Sequence, residues 1–179
     1  MKKILLLIAF AAILFAGQGC KKLASLTQFN LNYDTKVTIP KTLGIDLPVN
    51  VLTPPVTTNS TSEFEVNNTR KNLIDSINLT QLRMTIPDTE SETFDFLKNI
   101  EITISADGLP DKKIAWLDDI PKTGLKTIEL NVAAGDLKQY IIKDSFKLKT
   151  KTTTRELISH DTDILIHCRF FVDAKILGL

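Results

Sequence analysis

Thirteen residues near the C-terminal end of the chain constrain its fold most strongly. From Ile164 through Ile166, Cys168, Phe170, Val172 and Ala174 to Ile176, every second residue is apolar or small. A period of two sets these side chains on one face of an extended strand, and so long a run needs an apolar layer to receive it. Leu165, Phe171 and Leu177 add apolar side chains at the other parity. A strand apolar on both sides belongs at the centre of a sheet. The second set is expected to line a groove between sheets, or to pack beneath short helices.

The same period recurs along the chain. Phe29, Leu31, Tyr33, Val37 and Ile39 share one parity, with Asn30, Asn32 and Asp34 between them. Leu43, Ile45, Leu47, Val49 and Val51 repeat the pattern across Pro48. Proline cannot donate to a ladder, so this segment is expected at a sheet edge. Residues 53–62, "TPPVTTNSTS", read as a polar loop, and Phe64 and Val66 as the start of another strand. Asn68 or Thr69 is expected to cap a short helix holding Leu73 and Ile74. Ile77 and Leu79 alternate next, and Leu82, Met84 and Ile86 resume at the opposite parity. That slip at Thr80-Gln81 predicts a β-bulge, because one extra residue exchanges the two faces.

A second short helix is expected over residues 92–98, carrying Phe94 and Leu97. Ile100, Ile102 and Ile104 make a strand, and "ADGLPDK" a hairpin turn into Ile114-Ala115-Trp116. Ile128, Leu130 and Val132 predict one further strand, and Asp136 a cap for a short helix with Leu137, Tyr140 and Ile141 on its inner side. Phe146 and Leu148 open a strand through "FKLKTKTTTR", where Lys147, Lys149 and Lys151 fall on alternate positions. These lysines read as the wet face of the strand, and as the charges that protect an edge strand from aggregation. About eight strands with short helical connections and no βαβ rhythm predict an all-β fold. The expected architecture is a two-layer antiparallel β-sandwich of Ig-like layout, in one domain over residues 29–179.

The first twenty residues have a different character. Lys2 and Lys3 precede an apolar or small run from Ile4 to Ala16. A charged head followed by thirteen such residues reads as a secretory signal peptide. As a helix the run would span only about 20 Å, short of a hydrocarbon core of roughly 30 Å. Gly17-Gln18-Gly19-Cys20 then resembles the lipobox of bacterial lipoproteins, with Gly19 and Cys20 matching the pattern. That resemblance implies removal of residues 1–19, a diacylglycerol on the Cys20 thiol and an acylated Cys20 amino group, with residues 20–28 as a tether. An ordinary cleavage site with a coincidental cysteine is the alternative, and it would leave an exported protein with an unexplained thiol at its N-terminus. Two or three acyl chains give stable attachment where one binds reversibly. Lys21, where an inner-membrane retention signal carries Asp, implies the outer membrane. Lys21-Lys22 also lacks the acidic residues of surface export, which implies its periplasmic face. The layout as a whole resembles the Ig-like periplasmic lipoproteins.

Cleavage leaves 160 of the 179 residues and takes two of the 22 basic side chains, so 20 face 21 acidic ones. Near-neutral charge without a long basic run gives no footprint for nucleic acid. With Cys20 acylated, Cys168 has no disulfide partner, and its place in an apolar alternation predicts a buried, inert thiol.

Candidate chemistry is thin. His160, Asp161, Asp163, His167 and Cys168 crowd together in "SHDTDILIHC", but strand geometry sets the histidines far apart and turns His167 and Cys168 to opposite faces. No metal or other cofactor is implied. There is no G-x-S-x-G elbow and no phosphate-loop glycine spacing, and His167 faces away from Cys168, so no enzyme is signalled. Trp116, the single tryptophan, is expected in the core, with stacking on a sugar ring as the alternative. The sequence thus favours a non-catalytic envelope module that binds another envelope protein, a glycan or a lipid, or has a structural role. The second reading is a carrier or chaperone of an apolar ligand.

Overall fold

The computed structural model describes residues 27–41, 45–46 and 48–175. Cys20, the signal peptide, Leu43, Leu47, Ile176 and Leu177 lie outside these residues. Two antiparallel sheets pack face to face as a two-layer β-sandwich. The first holds β1 (Gln28–Ile39), β4 (Ile74–Thr85), β7 (Thr127–Glu129) and β10 (Thr162–Ala174), in the order β1-β10-β4-β7. The second holds β2 (Pro48–Leu52), β5 (Leu97–Ser105), β6 (Lys112–Leu117), β8 (Asn131–Val132) and β9 (Ser145–Thr154). Its order is β2-β9-β5-β6-β8, and the two-residue β3 (Val56–Thr57) also pairs with β9.

The long C-terminal strand is central, as its two-sided pattern predicts. β10 lies between β1 and β4, and Ile164, Ile166, Cys168, Phe170 and Val172 are all buried. The parity slip in β4 is a bulge: Gln81 pairs with Arg169 and Leu79 with Phe170, leaving Thr80 unpaired. Its hydroxyl donates to the Arg169 carbonyl at 3.0 Å. The extra residue lets Ile77, Leu79, Leu82 and Met84 all face the core despite their mixed parity. Between the layers, Tyr33, Phe146 and Phe170 meet edge to face, with centroids 5.5 to 6.2 Å apart. The Tyr33 hydroxyl donates to the Thr58 carbonyl at 2.9 Å, and burial, with a smaller push from Glu63, holds it well above its ordinary pKa.

Several segments differ from the sequence reading. β1 starts at Gln28, and the described residues form ten strands where about eight were expected. Phe64 and Val66 lie in a helix, α1 (Ser60–Val66), with Phe64 buried and Val66 exposed. Two apolar residues two apart fit a short strand, but on a helix they point in nearly opposite directions. Asn68 and Thr69 close α1 rather than open the next turn: their N–H groups donate to the carbonyls of Glu65 and Phe64. Asn68 adopts φ 55°, the left-handed conformation common just past a helix end. The turn that follows is a single 3-10 turn, Lys71–Leu73, without a side-chain cap. The helix expected over residues 92–98 shrinks to Phe94–Phe96, capped by Thr93, and Leu97 already belongs to β5.

Within "TPPVTTNSTS", Thr53, Thr58 and Ser60 are buried. The Leu148 N–H donates to Thr53 Oγ1 at 3.0 Å and the Thr53 N–H to the Leu148 carbonyl at 2.9 Å, so the loop clips onto β9. The expected strand through Ile128, Leu130 and Val132 is divided. β7 pairs with β4 in the first sheet and β8 with β6 in the second, and the Leu130 N–H donates to the Leu82 carbonyl at the crossing. Asp136 Oδ1 accepts from the Lys138 and Ile77 N–H groups at 2.9 Å each, which seats α2 (Lys138–Ile141) against β4.

Candidate functional site

The outer faces of the two sheets differ in kind. On the first, cross-strand partners occupy most charged side chains. Lys36 and Thr38 reach Asp163 at 2.7 and 2.6 Å, and Arg83 and Gln81 reach Glu129 at 2.7 Å each. These donors hold the Asp163 and Glu129 carboxyls below their ordinary range. His167 meets Asp34 at 2.7 Å on the same face. Leu165 is exposed there and Phe171 half-buried, so neither lines a groove between the sheets nor packs beneath a helix.

The second sheet presents a row across all five strands of its main path. Register places Asn50 of β2 beside Lys151 of β9, Lys151 beside Glu101 of β5, Glu101 beside Trp116 of β6, and Trp116 beside Asn131 of β8. A neighbouring row runs Leu52, Lys149, Thr103, Lys113. Trp116 is therefore half-buried on the solvent side, which overturns the expectation of a core tryptophan. A bulge is the cause. Ala115 pairs with Ile102 and Lys113 with Thr103, so Ile114 is an extra residue, and both Ile114 and Ala115 turn inward. Lys113 and Trp116, three apart in sequence, thereby share the outer face.

Their side chains touch. The Lys113 ammonium stands 5.1 Å from the centroid of the Trp116 ring and 2.8 Å from a Glu101 carboxylate oxygen. A cation over an indole at an exposed site contributes about 0.5 to 1 kcal/mol. Beside this pair Lys149 bonds Asp111, whose carboxyl is held below its usual range by hydrogen bonds from Lys149 and then Ser105. Lys151 is exposed and makes no ion pair among the described residues, because its neighbour Glu101 is engaged by Lys113. Two open grooves meet on these residues. One, of about 590 Å³, is lined by Asn50, Leu52, Thr103 and Asp111 among others, and one of about 290 Å³ by Asn99, Trp116, Asp118 and Thr153. Both include Glu101, Lys113 and Lys151.

The lysines of β9 do form its wet face, but β9 is an interior strand between β2 and β5, not an edge. Their charges line a surface instead of guarding a border. β2 occupies the edge, as Pro48 predicts.

The "SHDTDILIHC" residues are dispersed. His160 lies 3.5 and 3.6 Å from Glu90 and Glu92, and Asp161 accepts from the Lys41 N–H. His167 points to solvent and Cys168 into the core, where burial, with a smaller push from Asp34, raises the thiol to about 12. Such a thiol stays protonated and is a poor nucleophile. Among the described residues no group of three or more His, Cys, Asp or Glu side chains is placed to hold a metal ion.

No protein-family model matches the chain, and neither does any curated protein. Among solved structures it is similar to a CBM32 module, CpGH89CBM32-5 from Clostridium perfringens, in complex with GalNAc-β-1,3-galactose. That match has 12% identity, a TM-score of 0.33, and coverage of 75% of this chain and 94% of that one. It is also similar to a chain of desmodium yellow mottle tymovirus, at 12% identity and a TM-score of 0.25, with 85% of each chain covered. Likenesses this distant carry no inference about what the chain binds.

Proposed function

We propose that this chain is a lipid-anchored envelope protein whose β-sandwich is a non-catalytic binding module, and that the outer face of the second sheet is its binding surface. The observation that supports the binding surface is the outward Trp116 in the smaller groove, on one register row with Lys151, which lines both grooves and has no carboxylate partner among the described residues. An indole offers a large, rigid contact area at low entropic cost, so leaving one half in water suits a surface that acquires a partner. The anchor rests on the N-terminal sequence alone. Cys20 carries the lipid, the residues between it and β1 tether the domain, and Lys21 favours the periplasmic face of the outer membrane.

Two experiments test these parts separately. Globomycin should make the precursor accumulate, and Cys20→Ala should abolish incorporation of a clickable fatty acid; normal labelling of that variant removes the anchor. For the binding face, a deletion strain with an envelope phenotype should be rescued by the wild-type gene and by Asn78→Ala on the opposite sheet. Trp116→Ala and Lys151→Ala should fail to rescue while keeping wild-type circular dichroism. Full rescue by both would show that this face is not used.

A further inference from the structure

The chemistry of that face narrows the class of ligand. The quadrupole that draws the Lys113 ammonium to the Trp116 ring also attracts the polarised C–H bonds on the flat side of a pyranose. Around the ring stand side chains suited to hydroxyl groups: Asn99 and Thr153, and the carboxylates of Glu101 and Asp118. A surface for a purely apolar partner would not surround its one aromatic ring with amide, hydroxyl and carboxylate groups.

The charges supply the second half. Three lysines, Lys113, Lys149 and Lys151, line the larger groove against two carboxylates, Glu101 and Asp111, while Asp118 adds a carboxylate in the smaller groove. Glu101 bonds Lys113 and Asp111 bonds Lys149, which leaves the Lys151 ammonium over. Lys151 belongs to both grooves and is two strands from Trp116 along one register row. Adjacent strands are about 4.8 Å apart, so the gap between the two residues is roughly 10 Å. That is a span of one to two sugar rings. We propose that this face binds an acidic saccharide, with a pyranose laid on Trp116 in place of the Lys113 ammonium and a carboxylate of the same or the next ring held by Lys151. The displaced Lys113 remains tied to Glu101, so Lys151 is the cation that meets the ligand's carboxylate. This assignment rests on the reading of the face as the binding surface.

Trp116 is the single tryptophan, so the fluorescence of the intact chain reports on this site directly. The full-length protein in mild detergent is titrated with trisaccharides of galacturonate and of glucuronate, each paired with its carboxyl-reduced, uncharged counterpart. At least one acid should shift the emission and bind about tenfold more tightly than its reduced form, the scale of one charge-assisted hydrogen bond. Lys151→Gln should erase that preference and leave binding of the reduced sugar unchanged. Lys36→Gln, on the other sheet, should alter neither. By calorimetry, Trp116→Ala should lose both members of the pair. Equal affinity for an acid and its reduced form, with loss of both in Trp116→Ala, would overturn the acidic preference and leave the binding face standing. Failure of all four sugars to bind would overturn the saccharide assignment, and the rescue experiment decides the face independently.

Discussion

Thr150 and Thr152 lie two residues apart on the inner side of β9, and replacing each by valine should change stability in opposite directions. Both are buried, at 1% and 0% exposure. Thr152 Oγ1 donates to the Asn99 carbonyl at 2.7 Å, whereas Thr150 Oγ1 has no hydrogen-bond partner among the described residues. Valine has nearly the same shape and the same branching at Cβ, so neither replacement opens a cavity or disfavours the strand. Removing an unpaired buried hydroxyl recovers its desolvation cost, about 1 to 3 kcal/mol, and Thr150→Val should be more stable by about 1 to 2 kcal/mol. Thr152→Val removes a satisfied donor and leaves the Asn99 carbonyl without it, a loss of about 1 to 2 kcal/mol. For a domain of this size each kcal/mol shifts the melting temperature by roughly 2 to 4 °C. The two variants should therefore bracket the wild type in urea and thermal unfolding followed by far-UV circular dichroism. A lower midpoint for Thr150→Val would refute the reasoning, since it would mean that the hydroxyl has a partner such as a buried water.

Cys168 should react slowly with a maleimide in the folded protein and fast after denaturation, because a thiol raised to about 12 is almost entirely protonated near neutral pH. Cys168→Ser should cost about 1 to 3 kcal/mol by placing a hydroxyl in an apolar site, and Cys168→Ala less; rapid labelling of native protein would contradict both. Stability should also fall in acid. Hydrogen bonds from Lys149, Arg83 and Lys36 hold Asp111, Glu129 and Asp163 below their unfolded pKa values. Their stabilisation is complete above about pH 4 and is lost as pH drops through the folded pKa values. Urea midpoints should decline as pH falls below about 4, and the decline should shrink in Asp163→Asn with Glu129→Gln; an identical decline in that double variant would remove these pairs as its cause.

Alternation made the layers legible because it reports which side of a strand is dry, and that is a local property. It even exposed the Thr80 bulge, since a single extra residue reverses the parity of everything after it. What alternation does not report is which sheet a strand joins. Ile128, Leu130 and Val132 keep one parity across a change of sheet, because the inner faces of both layers look into the same core. Lysines behave similarly. Lys147, Lys149 and Lys151 declared the wet face of β9, but an exposed charge says nothing about lateral neighbours, so an interior strand passed for an edge.

The candidate site depended on both blind spots. In "KKIAWL" the bulge at Ile114 falls inside four consecutive apolar residues, so the slip leaves no visible change of parity, unlike the slip at Thr80. Without that bulge in the reading, Trp116 could not be assigned to a face, and burial was the better expectation for a lone tryptophan. Its companions were hidden by a different effect. Asn50, Lys151, Glu101, Trp116 and Asn131 come from five strands spread over a hundred residues of sequence, and only the strand order brings them into one row. Strand order is decided by long-range packing, not by any local period. A surface assembled across strands is therefore invisible to a reading along the chain, while a core assembled from alternate residues is not.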